Sequence, residues 1–183
     1  PTFNPEIDIE YYENASYNWS QDSIRYMNTV SAHTRANYLY MQECGHFKTA
    51  SPYFTERSSL PSFLLLYTVS GEGTLTYGGE DYALKPGTCF YIDCMMPHRY
   101  ETAKSAGRKN NTWEFLWLHF YGNPAEGYYK EFSMVDSPIL EIQDTFLIEG
   151  NLRRILALHQ KKAIYAEILT ANLIQSLLTE LII

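Results

Sequence analysis

Residues 63–92 read FLLLYTVSGEGTLTYGGEDYALKPGTCFYI, and this stretch decides the fold. It begins with a continuous apolar run at 63–69, which is typical of a buried strand. Three turn signals then separate short β-prone segments, at 70–73 (SGEG), 78–79 (GG) and 85–87 (KPG). Strands this short at such regular spacing predict an antiparallel barrel or sandwich, not a parallel sheet with crossover helices.

One further β-prone segment lies on each side of this stretch. Upstream are residues 38–42 (YLYMQ), and downstream are residues 112–120 (TWEFLWLHF). Alternation along the downstream strand puts four rings on one face, those of Trp113, Phe115, Trp117 and His119. Beyond residue 123 the apolar spacing changes to three and four, so we expect helices at 144–159 and 161–183.

Composition narrows the class of protein. The chain has 21 acidic and 14 basic residues, and the basic residues are scattered, so we do not expect it to bind DNA by itself. No apolar run approaches the roughly 20 residues of a membrane span, and no signal-peptide pattern is present, which favours a cytoplasmic protein. The three cysteines, Cys44, Cys89 and Cys94, lack a metal-binding or disulfide pattern and are expected to be reduced.

Four segments in this order resemble the N-terminal half of AraC-family transcription regulators: residues 65–73 (LLYTVSGEG), 84–87 (LKPG), 97–100 (PHRY) and 113–122 (WEFLWLHFYG). The resemblance runs from about residue 37 onward. It implies a mainly β fold, a cupin-type jelly-roll β-barrel followed by a C-terminal pair of α-helices. It further implies a small effector in the barrel, often a sugar, and dimerisation through the helices.

The resemblance also suggests how the chain is divided. We expect an N-terminal arm at 1–36, which could cover the ligand, a cupin-like effector-binding barrel at 37–123 and a helical dimerisation region at 124–183. The C-terminal helix-turn-helix domain of full-length family members is expected to lie outside this sequence. DNA would then be contacted only through that absent domain.

Two residues lead the candidates for ligand binding. Arg57 resembles, by position, the arginine that donates hydrogen bonds to the ligand in sugar-binding members of the family. Its alternative role is a structural ion pair with Glu56 or another carboxylate. Trp117 is expected to line the barrel and to stack on the apolar face of a sugar, with Phe115 beside it. For Phe115 the alternative is simply to fill the core.

Other polar residues complete the predicted wall. His98 and Tyr100 lie two residues apart at the end of a strand, and both can bond to hydroxyls. Gln42 and Tyr77 are added because they fall on neighbouring strands. A metal site needs about three converging ligands, and His46 is the only nearby addition to His98, so we expect no metal, no cofactor and no catalytic residue.

The last predicted helix supplies the expected homodimer contact. The helix has two apolar stripes, of which one can pack within the chain and the other would be left exposed, and an exposed apolar helix face indicates a partner helix. Which stripe forms the contact stays open, and the candidate residues are Ile168, Leu169, Leu173, Leu177 and Leu181. Two other interpretations remain open. The chain could be a stand-alone metal-dependent cupin enzyme, such as a sugar isomerase or dioxygenase, or a dimerisation module whose barrel holds no ligand.

Overall fold

The computed structural model describes residues 10–104, 111–134, 136–162 and 165–182, so residues 1–9 of the predicted arm lie outside the described residues. The strands are β1 (Tyr12–Ser16), β2 (Ile24–Met27), β3 (Tyr40–Ala50), β4 (Phe54–Ser58), β5 (Phe63–Gly71), β6 (Gly73–Tyr77), β7 (Glu80–Leu84), β8 (Thr88–Asp93), β9 (His98–Thr102), β10 (Thr112–Tyr121) and β11 (Ile139–Glu141). The helices are α1 (Ala32–Asn37), α2 (Ala125–Phe132), α3 (Thr145–Gln160) and α4 (Ala166–Ile182).

These strands form two antiparallel sheets. One has the order β1-β4-β9-β6-β7, and the other has the order β11-β8-β5-β10-β3-β2. Helices α2, α3 and α4 follow the last long strand and cover the outer face of the six-stranded sheet. The predicted mainly β, cupin-type jelly roll followed by C-terminal helices is confirmed.

The turn between β6 and β7 has the predicted two-glycine geometry. Gly78 and Gly79 have φ values of 61° and 85°. A two-residue hairpin needs positive φ at both central positions if its twist is to match that of the strands, and glycine adopts this conformation without a steric penalty. The GG pair therefore fixes the hairpin at this point of the sequence.

Strand β5 is apolar along most of its length because it is buried on both faces. Leu64 and Leu66 lie in the interior cluster between the two sheets, whereas Phe63, Leu65 and Tyr67 pack towards the helices. A strand covered on both sides has no solvent face and so shows no polar alternation. The six-stranded sheet thus separates two hydrophobic clusters.

The three cysteines are distributed over these two clusters. Cys94 lies in the interior cluster, and Cys44 and Cys89 lie in the cluster on the helix side. All three are buried and free, as predicted.

No helix among the described residues combines the length and the apolar character that a bilayer crossing requires.

Helix α4 corrects the predicted dimer stripe. Leu173, Leu177 and Leu181 are buried in the cluster on the helix side, which α4 shares with α2, α3 and the six-stranded sheet. They cannot form a seam with a second chain, because the chain's own core already covers them. Ile168 and Leu169 are 51% and 40% exposed, and their role in a dimer stays a prediction.

The sheets extend beyond the predicted barrel of residues 37–123. Strands β1 and β2 come from the predicted arm, and β11 comes from the predicted helical region. Strand β1 pairs with β4 at one edge of the five-stranded sheet, with Glu13 opposite Arg57. The division into arm, barrel and helical region stays a prediction, and the described part of the arm is built into both sheets.

Candidate ligand-binding site

A cavity of about 210 Å³ opens where the barrel interior meets strand β1. Its lining residues are Tyr11, Glu13, Arg25, Gln42, Glu43, Arg57, Leu60, Ser62 and His119. Most of these side chains are charged or form hydrogen bonds, whereas the interior cluster consists mainly of apolar residues. The cavity is therefore the polar end of the barrel interior.

Arg57 carries the central charge of this cavity. Alternation along β4 turns Arg57 inward, and the residue is only 9% exposed. Its Nη2 donates to Glu13 Oε1 at 3.2 Å, and its Nη1 donates to His119 Nε2 at 3.3 Å. An uncompensated charge in a protein interior is costly, so a buried guanidinium requires such a carboxylate. Glu13 supplies it from strand β1.

Glu13 is itself held by two hydroxyls. Tyr17 donates to Oε1 at 2.8 Å, and Tyr11 donates to Oε2. Partial burial works to raise the pKa of the Glu13 carboxyl, but these hydrogen bonds and the positive charge of Arg57 together hold that pKa below its ordinary value. Glu13 is therefore ionised at neutral pH, and its charge balances that of Arg57.

His119 is neutral, and its hydrogen bonds define its tautomer. A guanidinium can only donate, so His119 Nε2 accepts from Arg57 and Nδ1 carries the proton. Nδ1 then donates to Ser62 Oγ at 2.9 Å, and Ser62 donates to the Phe63 carbonyl oxygen at 3.1 Å. Burial, followed by the charge of Arg57, lowers the pKa of His119 well below its ordinary value.

His98 is also neutral and carries its proton on the same ring nitrogen, Nδ1. Its Nδ1 lies 2.9 Å from the Met96 carbonyl oxygen and must donate to it, which leaves a lone pair on Nε2. Burial is the main cause that lowers the pKa of His98 to about 4; the hydrogen bond to Met96 opposes this shift, and the nearby charge of Arg57 contributes to it. His98 lies opposite Arg57 on the neighbouring strand β9, so both histidines flank the guanidinium.

Four buried polar atoms near this end of the barrel have no hydrogen-bond partner among the described residues. Two are donors, Arg57 Nε and Trp117 Nε1, and two are acceptors, His98 Nε2 and Gln42 Oε1. Trp117 belongs to this group because its ring lies 5.7 Å from that of His119. Each such atom costs about 1–3 kcal/mol when it is left unsatisfied, and native proteins leave few of them. Gln42 and Arg57 line the cavity, so a guest there that both donates and accepts hydrogen bonds can satisfy Gln42 Oε1 and Arg57 Nε.

The residue pattern over most of the chain matches a known family. The profile of the AraC-like ligand binding domain matches residues 40–180. The chain belongs to this family. The resemblance found in the sequence is thereby confirmed.

The proteins that this AraC-like domain is similar to include transcription regulators. The lactose operon transcription activator of Staphylococcus xylosus is 32% identical over 97 residues, which are 53% of this chain and 33% of that protein. The chain thus spans about a third of the length of the curated relative it matches. Among solved structures, the AraC-like transcriptional activator CuxR has a TM-score of 0.54 at 11% identity, covering 87% of this chain and 61% of that chain. That likeness shows a shared fold.

A cupin domain of an XRE family transcriptional regulator from Enterobacter cloacae also matches. It has a TM-score of 0.41 at 17% identity and covers 56% of this chain and 100% of that chain.

In the AraC-like domain, three of the predicted ligand residues come together: Arg57, His98 and Gln42. The structure also resolves the alternative for Arg57. Of its two forms, the ion pair with another carboxylate is the one observed: Glu56 is bonded to Arg99 at 2.9 Å, and Arg57 pairs with Glu13. The carboxylate that Arg57 does pair with, Glu13, comes from a different strand.

Trp117 faces the interior as predicted. It is 6% exposed and its ring lies 5.1 Å from that of Phe47. The ring also lies over Gly45, where an added Cβ would come within 2.5 Å of the indole. Gly45 is therefore required by the position of Trp117. The predicted stacking of Trp117 on a sugar stays a prediction.

The remaining predicted wall residues have the contacts of core side chains. Phe115 is fully buried, with its ring 4.0 Å from that of Trp113. Tyr100 is 5% exposed and lies 6.0 Å from Phe90. The Tyr77 hydroxyl lies 3.4 Å from the Asp93 carbonyl oxygen, to which it donates. For Phe115 these contacts agree with the core-filling alternative, and the ligand roles of all three stay predictions.

Sequence reasoning missed Glu13, Ser62 and His119 as site residues. Alternation had placed His119 on the same face as Trp117, so a signal existed for that residue. Glu13 and Ser62 gave none, because their roles depend on tertiary pairing. In the parts of the chain that the structure describes, no three histidine, cysteine or acidic side chains converge as a metal site would require. His46 is bonded to Glu114 at 2.7 Å.

Proposed function

We propose that this domain senses the effector of an AraC-type transcription regulator, and that the effector is a neutral carbohydrate. The observation that carries the proposal is the mixed set of unsatisfied donors and acceptors beside Arg57. A sugar hydroxyl both donates and accepts, so one class of molecule satisfies Arg57 Nε and Gln42 Oε1, the two atoms of this set whose residues line the cavity. The relative from Staphylococcus xylosus, which is named for the lactose operon, supports the sugar class.

The charges at the site favour a neutral ligand over an anion. Arg57 is already paired with Glu13, so an anionic ligand would have to displace a carboxylate held by two tyrosines. A neutral polyol needs no such exchange. In our proposal Arg57 Nε donates to a ligand oxygen, and Gln42 Oε1 accepts from a ligand hydroxyl. Both histidines remain neutral, so they add no charge that would attract an anion.

The proposal extends to the whole regulator. We propose that it forms a homodimer through the exposed face of α4 around Ile168 and Leu169. DNA would be bound by a domain beyond this sequence, and the regulator would act in the cytoplasm, where the DNA is. Ligand occupancy would then have to favour one of two arrangements of arm or helices, because a switch requires differential binding to two states.

The test is a thermal-shift screen of neutral sugars and sugar acids, followed by calorimetric titration of each hit. A sugar at 100 times its dissociation constant should stabilise the fold by about 2.7 kcal/mol. We expect Arg57→Gln to weaken binding of that sugar at least tenfold. The double variant Glu13→Gln/Arg57→Gln should bind equally weakly, and it leaves no unpaired carboxylate. Arg99→Gln is the matched control, since Arg99 lies on the same sheet, faces outward and pairs with two carboxylates.

Four outcomes would contradict the proposal. Full affinity in Arg57→Gln would remove the site, and tighter binding of sugar acids than of neutral sugars would remove the neutral class. Stoichiometric metal in the purified protein together with turnover of a sugar would support the cupin enzyme instead. If no sugar stabilises the fold, the sugar class itself is wrong.

A further inference from the structure

A second, larger cavity lies beside the candidate site. Its volume is about 550 Å³, and its lining residues are Arg35, Tyr40, Gln42, Pro61, Tyr121, Gly122, Asn123 and Glu126. Gln42 also lines the first cavity, so the two cavities meet at this side chain. We refer to the cavity at Arg57 as the inner chamber and to the one at Tyr121 as the outer chamber.

The chain runs from one chamber to the other in two places. On β10, His119 lines the inner chamber and Tyr121, two residues later, lines the outer one. Between β4 and β5, Leu60 and Ser62 line the inner chamber while Pro61 lines the outer one. The chambers are therefore neighbouring parts of one groove along the end of the barrel.

Gln42 has an unsatisfied atom at the junction. Its Nε2 donates to the Pro61 carbonyl oxygen at 3.0 Å, which fixes the orientation of the amide. Its Oε1 is then buried and has no partner among the described residues. A ligand hydroxyl that lies between the two chambers would satisfy this acceptor.

The outer chamber has a different chemistry from the inner one. The rings of Tyr40 and Tyr121 lie 6.4 Å apart at an angle of 71°, and the Arg35 guanidinium lies 5.9 Å from the centre of the Tyr40 ring. Asn123 and Glu126 add amide and carboxylate groups to the lining. Aromatic faces with hydrogen-bonding groups around them suit a sugar ring, which has apolar C–H faces and a polar rim.

We propose that the two chambers are subsites of one site and that the effector is a disaccharide. One ring lies in the inner chamber against Arg57, the second ring lies in the outer chamber against Tyr40 and Tyr121, and a hydroxyl near the linkage donates to Gln42 Oε1. This inference rests on the proposed function. To that function it adds a second subsite, and it specifies that the ligand has two sugar rings.

The test compares disaccharides with their own monosaccharides by calorimetric titration. The pairs are galactose with lactose and melibiose, glucose with cellobiose and maltose, and xylose with xylobiose. We expect one disaccharide to bind at least tenfold more tightly than its monosaccharide. Tyr121→Ala should remove that gain and leave monosaccharide affinity within twofold. Arg35→Gln, a change at an exposed residue that leaves the fold intact, should reduce the gain at least threefold.

The control is Tyr165→Ala, because Tyr165 is 70% exposed and lies outside both chambers. It should change neither affinity. If monosaccharides bind and depend on Arg57 while no disaccharide binds more tightly, the second subsite is overturned and the proposed function stands. Equal losses for both sugar lengths in Tyr121→Ala and Arg35→Gln would overturn the division into subsites. If no sugar of either length binds, the proposed function fails as well.

Discussion

Single residues at the polar end of the barrel are constrained by their neighbours rather than by local propensity. Gly45 lies in the middle of β3, where glycine is normally unfavourable. The structure explains it by the Trp117 indole on one side and the Ile24 carbonyl oxygen on the other, both within 2.6 Å of an added Cβ. The residue is therefore a packing requirement of the candidate site.

Gly45→Ala should lower the free energy of unfolding by about 1–3 kcal/mol, the usual cost of overpacking. The backbone oxygen of Ile24 cannot move aside without disturbing the pairing of β2 with β3. Urea denaturation measures the change. Gly150→Ala is the control, because an added Cβ in that helix meets nothing within 4 Å. Alanine should stabilise α3 by up to about 1 kcal/mol. A neutral Gly45→Ala would contradict the close packing of Trp117.

The buried histidines give the domain a pH dependence. The pKa of His98 is about 4 and that of His119 is well below its ordinary value, which is about 6.5 in an unfolded chain. The unfolded chain therefore takes up protons first. The free energy of unfolding should fall as the pH drops below about 6.5, by up to about 1.4 kcal/mol per pH unit for each histidine, and for His98 this loss ends near pH 4.

Urea denaturation at pH 7.5, 6.0 and 5.0 measures this slope. His98→Gln should flatten it, whatever the substitution does to stability at pH 7.5. Met134→Gln, a change at an exposed residue that carries no titratable group, should leave the slope as it is. An unaltered slope in His98→Gln would mean that this ring does not take up a proton on unfolding.

At the scale of elements, α4 divides its apolar residues between two roles. Leu177 is fully buried within the chain, whereas Ile168 and Leu169 are exposed. Leu177→Ala should therefore cost about 2–5 kcal/mol of stability and leave the mass in solution unchanged. The double variant Ile168→Glu/Leu169→Glu should convert a dimer to a monomer and leave stability of the monomer nearly intact.

Sedimentation equilibrium and urea denaturation together separate these effects. Thr179→Glu adds a charge at another exposed position of the same helix and serves as the control, with no change in mass expected. A dimer that survives the double variant would exclude this face as the interface. A change of mass in Leu177→Ala at full stability would show that the buried face takes part in assembly.

For the whole molecule, local patterns were sufficient for the fold and insufficient for the site. The hairpins from Phe63 onward were predictable because glycine and proline mark their turns, and α3 and α4 were predictable from apolar spacing, whereas the shorter α1 and α2 were not predicted. The face of Trp117 followed from alternation alone. Which carboxylate balances Arg57 could not be predicted, because β1 and β4 are separated by 37 residues of chain and meet only in the sheet. The same reason hid the burial of Leu177, whose neighbours lie on α3 and the six-stranded sheet.

The reactivity of the three buried cysteines can be used to measure local opening of the domain. Burial raises the pKa of all three thiols, and only a thiolate reacts with alkylating reagents, so the folded domain protects each of them. Alkylation of Cys94 requires separation of the two sheets, whereas alkylation of Cys44 or Cys89 requires the helices to lift. Comparing the alkylation rate of each cysteine with and without effector would therefore show which packing the ligand stabilises: that between the two sheets, or that of the helices on the six-stranded sheet.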